Sequence, residues 1–309
     1  MIRISSIICT LNRADYLRKA IKSLVEQTLA TESYEILVVD NGSSDATKQV
    51  VIEEFSQVQN LRYIYEPIMG LSQARNTGLA NATGEYIAYL DDDAIASPQW
   101  LEKIVEVFDT VKPQLGCVGG KVEPIWEAPR PSWLPDQLMT YLTTLDYSKT
   151  PVNLDNTPCR LTGANIAFPK HLLQTLGGFQ VDLGRRGNNL LSSEESFIQE
   201  QLLEKGYSCF YHPEIAVGHH IPASRLTKDF FVNRLYWEGV SKAIAQIHQK
   251  APSNLQRLQM IIPIALRISR SPWKIANLAI PTNNPERFAR KCLTLSNISY
   301  IMGLLGVVK

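Results

Sequence analysis

Residues 84–101, GEYIAYLDDDAIASPQWL, set Asp91, Asp92 and Asp93 directly after an apolar run of strand character. Three adjacent negative charges repel one another and do not sit unpaired in a dry interior. At the carboxyl end of a strand, such a trio suits a hard divalent cation. That cation takes oxygen ligands and shares them with the phosphates of a substrate. The competing role is an N-cap, with a carboxylate at the positive end of the helix predicted in SPQWLEKIVEVF. A cap needs one carboxylate, and Ser97 with Pro98 already supplies a start signal. The triplet therefore favours a metal over a cap. Asp40 and Glu66 close two other strand-like runs, YEILVVD and LRYIYE.

The elements that must position these acids alternate from residue 4 to about residue 121. SSIICTLN is followed by DYLRKAIKSLVEQT, with Leu17, Ile21, Leu24 and Val25 at helical spacing. YEILVVDN leads into SDATKQVVIEEF, where Ser44 or Asp45 is available as the N-cap. LRYIYE, LSQARNTGLANA, EYIAYL, SPQWLEKIVEVF and GCVGGKV continue the pattern. Short connections and β-α alternation predict an α/β fold with a mostly parallel sheet covered on both faces. Ligands of such sheets bind beyond the carboxyl ends of the strands, where all five acids fall.

After Lys121 the pattern changes. EPIWEAPRPSWLP reads as an irregular loop or lid, TGANIAFPK as a strand and SSEESFIQEQLLEKGY as a helix. SCFYHPEIAVGHHIP is strand material, and TKDFFVNRLYWEGVSKAIAQIH is a long helix. From about residue 252 a helical tail follows, expected to break at Pro263, Pro272, Pro281 and Pro285.

The 309 residues, 45% hydrophobic and 20% charged, suit one large globular domain or two modest ones. Five scattered cysteines with no CxxC pair argue against a disulfide framework and a structural zinc site, and for a reducing compartment. The amino terminus is a poor signal peptide, and the N-x-S/T triplets at Asn41, Asn81 and Asn297 read as chance matches. A cytoplasmic protein is the expectation. The net charge of +1 hides an asymmetry: residues 250–309 carry nine Lys and Arg against one acid, +8, leaving −7 on the rest. No basic, aromatic-interleaved stripe marks nucleic acid.

SIICTLNRADYLRKAIKSLVEQT, YEILVVDNGSSDAT, GLSQARNTGLANATGEYIAYLDDDA and LTGANIAFPKHLLQTLGGF together resemble the family-two glycosyltransferases. These are inverting enzymes of the GT-A fold that use nucleotide-diphospho sugars. The resemblance runs in order from about residue 4 to about residue 240, roughly three quarters of the chain. It implies a catalytic domain over 1–250, with a nucleotide-binding half to about 121 and an acceptor half beyond. Residues 251–309 then form a basic amphipathic helical tail.

The same resemblance implies roles. Asp40 matches the carboxylate that accepts a hydrogen bond from the nucleobase. Asp45 matches the second acid of that motif, with the N-cap as its other reading. Thr10, Leu11 and Asn12 match the segment wrapping the nucleoside. Arg75 resembles a residue near the diphosphate, where a guanidinium suits phosphate oxygens; it is equally suited to an ion pair with the aspartates. Asp93 best matches the ligand of Mn²⁺ or Mg²⁺, with Asp91 or Asp92 as ribose contact or second ligand. His219 matches a position near metal and diphosphate; a structural histidine is the alternative. Where the family usually reads Gly-Glu-Asp, this chain has Ser193, Glu194 and Glu195. Glu195 is then the general base for the acceptor hydroxyl, one methylene longer than the usual Asp. Its other reading is a carboxylate serving the helix dipole.

Arg185 and Arg186 sit in a Gly-flanked loop that grips phosphate or forms a solvated turn. Trp126 and Trp133 stack on a sugar or pack a lid. In the tail, Leu255, Leu258, Ile262 and Leu266 share a helical face with Arg nearby, as in helices that lie on anionic membranes; packing on protein is the competing role. The former would place the protein on the cytoplasmic membrane face and suit a lipid-linked or saccharide acceptor in polysaccharide or glycoconjugate assembly. Two rivals are weighed. A nucleotidyltransferase needs a Gly-rich, Lys-bearing loop after the first strand, which CTLNRADYL lacks. A non-catalytic nucleotide-sugar-binding scaffold has no use for Glu194 and Glu195.

Overall fold

The computed structural model describes residues 1–111, 114–187, 189–270, 273–276 and 278–308, with the backbone alone at Lys274. These residues form two compact units built from interleaved segments. The first comprises Met1–Ile125, Thr143–Val181 and Glu195–His220; the second comprises Trp126–Leu142, Asp182–Glu194 and Ile221–Lys309.

In the first unit, β1 (Ile4–Thr10), α1 (Ala14–Val25), β2 (Tyr34–Asp40), α2 (Thr47–Gln49) and β3 (Leu61–Tyr65) open the chain. They are followed by α3 (Leu71–Asn81), β4 (Tyr86–Leu90), β5 (Ala94–Ala96), α4 (Trp100–Thr110) and β6 (Leu115–Trp126). β7 (Val152–Asn153), β8 (Asn165–Pro169), α5 (Lys170–Thr175), α6 (Glu194–Glu204) and β9 (Ser208–Ile221) complete the order. The sheet runs β3-β2-β1-β4-β8-β6-β9-β5, with β7 beside β9. The parallel pairing that β-α alternation dictates holds through β3, β2, β1 and β4. Antiparallel pairs β4–β8, β6–β8 and β5–β9 extend it.

β1 and β2 are buried almost throughout, and among their aliphatics the buried Ser5 hydroxyl pairs by donating to Glu35 at 2.7 Å. Ile4, Ile8, Leu17, Ile21, Val38, Trp100 and Ile104 pack one face, where α1 and α4 supply helical-spaced apolar side chains. Ile7, Leu37, Val39, Ile87, Phe168 and Ile198 pack the other. Each such buried aliphatic contributes about 1.5–3 kcal/mol of transfer free energy, enough to fix the register.

Three elements depart from the sequence expectations. The helix expected over SDATKQVVIEEF is a single turn, α2, continued by a π-helical turn at Val50–Glu54. β6 continues to Trp126, into the stretch expected to be irregular. Pro263 does not break the tail but sits inside a helix. It and Gln259 are both exposed, so the carbonyl that loses its N–H partner is open to water.

The second unit is helical: a 3₁₀ turn at Asp136–Leu142, then α7 (Lys228–Lys250), α8 (Asn254–Ser269), α9 (Trp273–Ala276) and α10 (Pro285–Leu304). Thr227 caps α7 and Asn284 caps α10, with Pro285 at its first position. Ser253 and Gln256 form a reciprocal capping box on α8. α7 and α10 cross closely because Gly239 faces Ser296 and Ser299; a Cβ there would fall 2.1 Å from the Ser296 carbonyl. Leu138, Phe231, Leu235, Phe288 and Cys292 form the core of this unit. Pro281 lies outside helix, and Pro272 lies outside the described residues.

Candidate active site

The β1–β4 register pairs Ile7 with Tyr89, and three further residues bring Thr10 level with Asp92. The Thr10 hydroxyl accordingly donates to Asp92 Oδ2 at 2.8 Å. Arg13, just beyond the strand, donates through one Nη to Asp92 at 2.9 Å and to Asp93 at 2.7 Å. The aspartates themselves form a turn, closed by Ala94 N–H donating to the Asp91 carbonyl at 3.0 Å. β5 then pairs with β9 so that Ala94 lies opposite His219. That pairing sets His219 Nε2 3.1 Å from Asp93 Oδ1.

The trio is thereby split. Asp92 faces Thr10 and Arg13, whereas Asp91, Asp93 and His219 each present one ligand atom within 4.8 Å of the others. Burial drives the Asp92 carboxyl up to about 6; Arg13 opposes that shift and the neighbouring Asp93 charge adds to it. The Arg13 guanidinium is held well above its ordinary value: burial works against it, and Asp92 and Asp93 outweigh burial. Two carboxylates and an imidazole, gathered with one ligand atom each inside 4.8 Å, are a donor set that fits a divalent ion of the Mn²⁺ class.

Arg75 borders this group. It is buried beside the rings of Tyr89 and Phe179, at 5.7 and 5.3 Å, and its Nη2 lies 3.6 Å from Asp91 Oδ1. Gly163 makes room for it: a Cβ there would fall 2.3 Å from that same Nη2. The Gly163 N–H donates to Glu195 Oε1 at 3.2 Å. Glu195 lies in the first turn of α6, and the preceding Ser193 has φ +76°, the left-handed region that favours glycine. The serine thus holds a backbone conformation that glycine adopts without steric cost. Asp91, Arg75, Gly163 and Glu195 form one continuous chain of neighbours.

The acids at the ends of β2 and β3 are engaged differently. Asp40 is buried and accepts from Ser43 N–H at 2.8 Å and from the Tyr63 hydroxyl at 2.7 Å. Asp45 accepts from Ala14 N–H, the first residue of α1, and from Thr47 N–H, the first of α2. Burial raises it, and the Thr47 and Ala14 hydrogen bonds together outweigh burial and hold it below the usual carboxylate value. Glu66 likewise sits below that value, the Thr77 hydroxyl and Ile68 N–H outweighing burial. Asn12, at φ +55°, accepts from Ser44 N–H at 2.7 Å, and its own N–H donates to Ser43 Oγ. Leu11 is partly exposed between Thr10 and Asn12.

In the second unit, Trp133 stands edge-on to Phe231 and Phe288, with the Lys228 ammonium over its ring. Arg186 is exposed in a turn closed by its N–H to Asn189 Oδ1, and Arg185 is partly exposed beside it. Glu194 is buried at the first position of α6. Sequence reasoning missed Arg13 and Gly163. Arg13 carried one signal, a cation three residues past Thr10 on the rim that holds the aspartates. Gly163 carried none beyond its residue type.

The family model described as Glycosyl transferase family 2 matches residues 5–174. The glucosyl-dolichyl phosphate glucuronosyltransferase of Haloferax volcanii is 26% identical over 252 residues, 79% of this chain and 78% of that protein. Glycosyltransferase AglE of the same organism is 37% identical over 121 residues, 39% of each chain. Among solved structures, mannosyltransferase PcManGT from Pyrobaculum calidifontis, in complex with GDP-Man and Mn²⁺, superposes with a TM-score of 0.63 at 20% identity. That likeness covers 99% of this chain and 88% of that one. S. aureus TarS 1–349 gives a TM-score of 0.54 at 15% identity, over 99% and 92%. At these identities the structural likeness speaks for the fold, and the fold is the α/β GT-A arrangement that the motifs led one to expect.

Proposed function

The chain belongs to glycosyl transferase family 2, and on that premise we propose that it moves a sugar from a nucleotide-diphospho donor to an acceptor hydroxyl with inversion at the anomeric carbon. The observation that carries this reading is the gathering of Asp91, Asp93 and His219 within 4.8 Å, beside Arg75 and, through Gly163, Glu195. Asp91, Asp93 and His219 would hold the metal, and the imidazole favours Mn²⁺ over the harder Mg²⁺. When bound, such an ion supplies Lewis-acid neutralisation of charge growing on the departing diphosphate.

Arg75 faces the same diphosphate, its guanidinium already buried against two rings and so strongly attracted to phosphate oxygens. Thr10, Leu11, Asn12 and Asp40 bound the nucleoside at the ends of β1 and β2, and Asp45 braces that loop through its two helix N–H groups. Asp92 belongs to the ribose side, oriented by Thr10 and Arg13. Glu195 takes the proton of the acceptor hydroxyl, its carboxylate oriented by Gly163 N–H. Inversion needs no covalent intermediate, so one base suffices. The acceptor is a lipid-linked saccharide, in keeping with the name of the Haloferax volcanii glucuronosyltransferase, and the product feeds polysaccharide or glycoconjugate assembly.

A thermal-shift panel of UDP, GDP and dTDP, each with and without Mn²⁺, tests the reading. At about a hundred times Kd, one nucleotide adds about 2.7 kcal/mol to the folded state. The expected result is a rise in Tm for one nucleotide that Mn²⁺ enlarges. No rise with any nucleotide contradicts the proposal.

A further inference from the structure

α8 is apolar on two sides. Ile261 and Ile268 are buried in the second unit, and Ile261 packs with Ala243 and Leu304. Leu255, Leu258, Ile262 and Leu266, spaced three, four and four residues apart, share another face. That face is outward: Leu255 is 67% exposed and the other three are each about half exposed. Four large aliphatics on one exposed stripe are more than the scattered surface leucines of an ordinary globular protein. Trp273 on α9 is 78% exposed, and Ile275, Ile280, Leu305 and Val307 are also exposed.

The tail that carries this surface is basic. α8 holds no acid, Arg267 and Arg270 are exposed at its end, and residues 250–309 carry +8. No helix among the described residues is long and apolar enough to cross a membrane. At 16 residues α8 spans about 24 Å, short of the ~30 Å hydrocarbon core. Apolar stripe, flanking arginines and exposed tryptophan are the attributes of a helix that lies in the headgroup region. We propose that the α8 face formed by Leu255, Leu258, Ile262 and Leu266, with Trp273, docks on an anionic lipid bilayer. The aliphatics enter the acyl boundary, and Arg267 and Arg270 meet lipid phosphates.

Co-sedimentation of the full chain with phosphatidylcholine vesicles, with and without phosphatidylglycerol, tests this. The expected result is binding that requires phosphatidylglycerol and weakens as salt rises. L258Q/I262Q should weaken partitioning roughly tenfold or more at an unchanged Tm, because both side chains are already outside the core. R267E/R270E should remove the preference for the anionic vesicles. Three results overturn the proposal: no binding to phosphatidylglycerol vesicles at low salt, binding that L258Q/I262Q leaves intact, or light scattering that shows the same face consumed in a dimer of the chain.

Discussion

Two acidic regions occupy the strand ends of the first unit, and they treat their carboxylates in opposite ways. At β2 and β3, Asp40, Asp45 and Glu66 accept hydrogen bonds from backbone N–H groups and hydroxyls. Asp45 and Glu66 are held below the ordinary carboxylate value. At β4 and β5, the aspartates crowd one another and Asp92 is driven up to about 6. In the first region the fold supplies the partners that charged oxygens need. In the second it supplies Arg13, Arg75 and the ring of His219, and sets three ligand atoms within 4.8 Å of one another. A satisfied carboxylate shapes a loop; a crowded cluster of carboxylates beside an imidazole is a donor set suited to a divalent cation.

The comparison breaks most sharply at Asp93. Asp93→Ala should lower turnover by about 10³-fold or more while the fold persists, measured as kcat against a far-ultraviolet melt. Glu195→Gln should come next, lowering kcat by about 10²–10⁴-fold and leaving donor Kd near that of the native chain. If this Gln variant keeps near-native turnover, the base lies elsewhere.

On the satisfied side the effect is on stability. Asp45→Ala removes the acceptor for two helix N–H groups and should cost about 1 kcal/mol in chemical denaturation. The sign with pH follows from the lowered values. Asp45 and Glu66 bind their protons more weakly folded than unfolded. Their stabilisation is complete above the ordinary carboxylate range and is lost as the pH falls through their lower folded values. Glu66→Gln should therefore flatten the acid limb of a Tm–pH curve. A steeper limb would contradict the assignment. Ser193→Gly is the mildest change, relieving the +76° backbone and stabilising by about 0.5–1 kcal/mol in chemical denaturation.

Much of the site was legible because it obeys local rules. The triplet after EYIAYL, the alternation that puts it at a strand end, and the motifs around Glu195 are written in contiguous residues. The division of labour within the triplet was not. It depends on the three-residue strand β5 pairing with β9 across more than a hundred residues, which brings His219 to Asp93. No periodicity announces a strand of three residues or its distant partner. Arg13 escaped notice for a related reason: its partners, Asp92 and Asp93, meet it only through the β1–β4 register. The helix expected after Asp45 starts as one α-helical turn and passes into a π-helical turn at Val50–Glu54, a change of hydrogen-bond spacing that the apolar pattern does not announce. Pro263 was misread as a break because local propensity counts the lost hydrogen bond and not the exposure that lets water replace it.

Direct titration of Mn²⁺, followed by the loss of its free electron-paramagnetic signal, addresses the cation site without requiring the acceptor. With UDP or GDP present, the native chain should take up one Mn²⁺. Asp93→Ala should take up none at the same concentrations. Equal uptake by the native chain and Asp93→Ala would contradict the account.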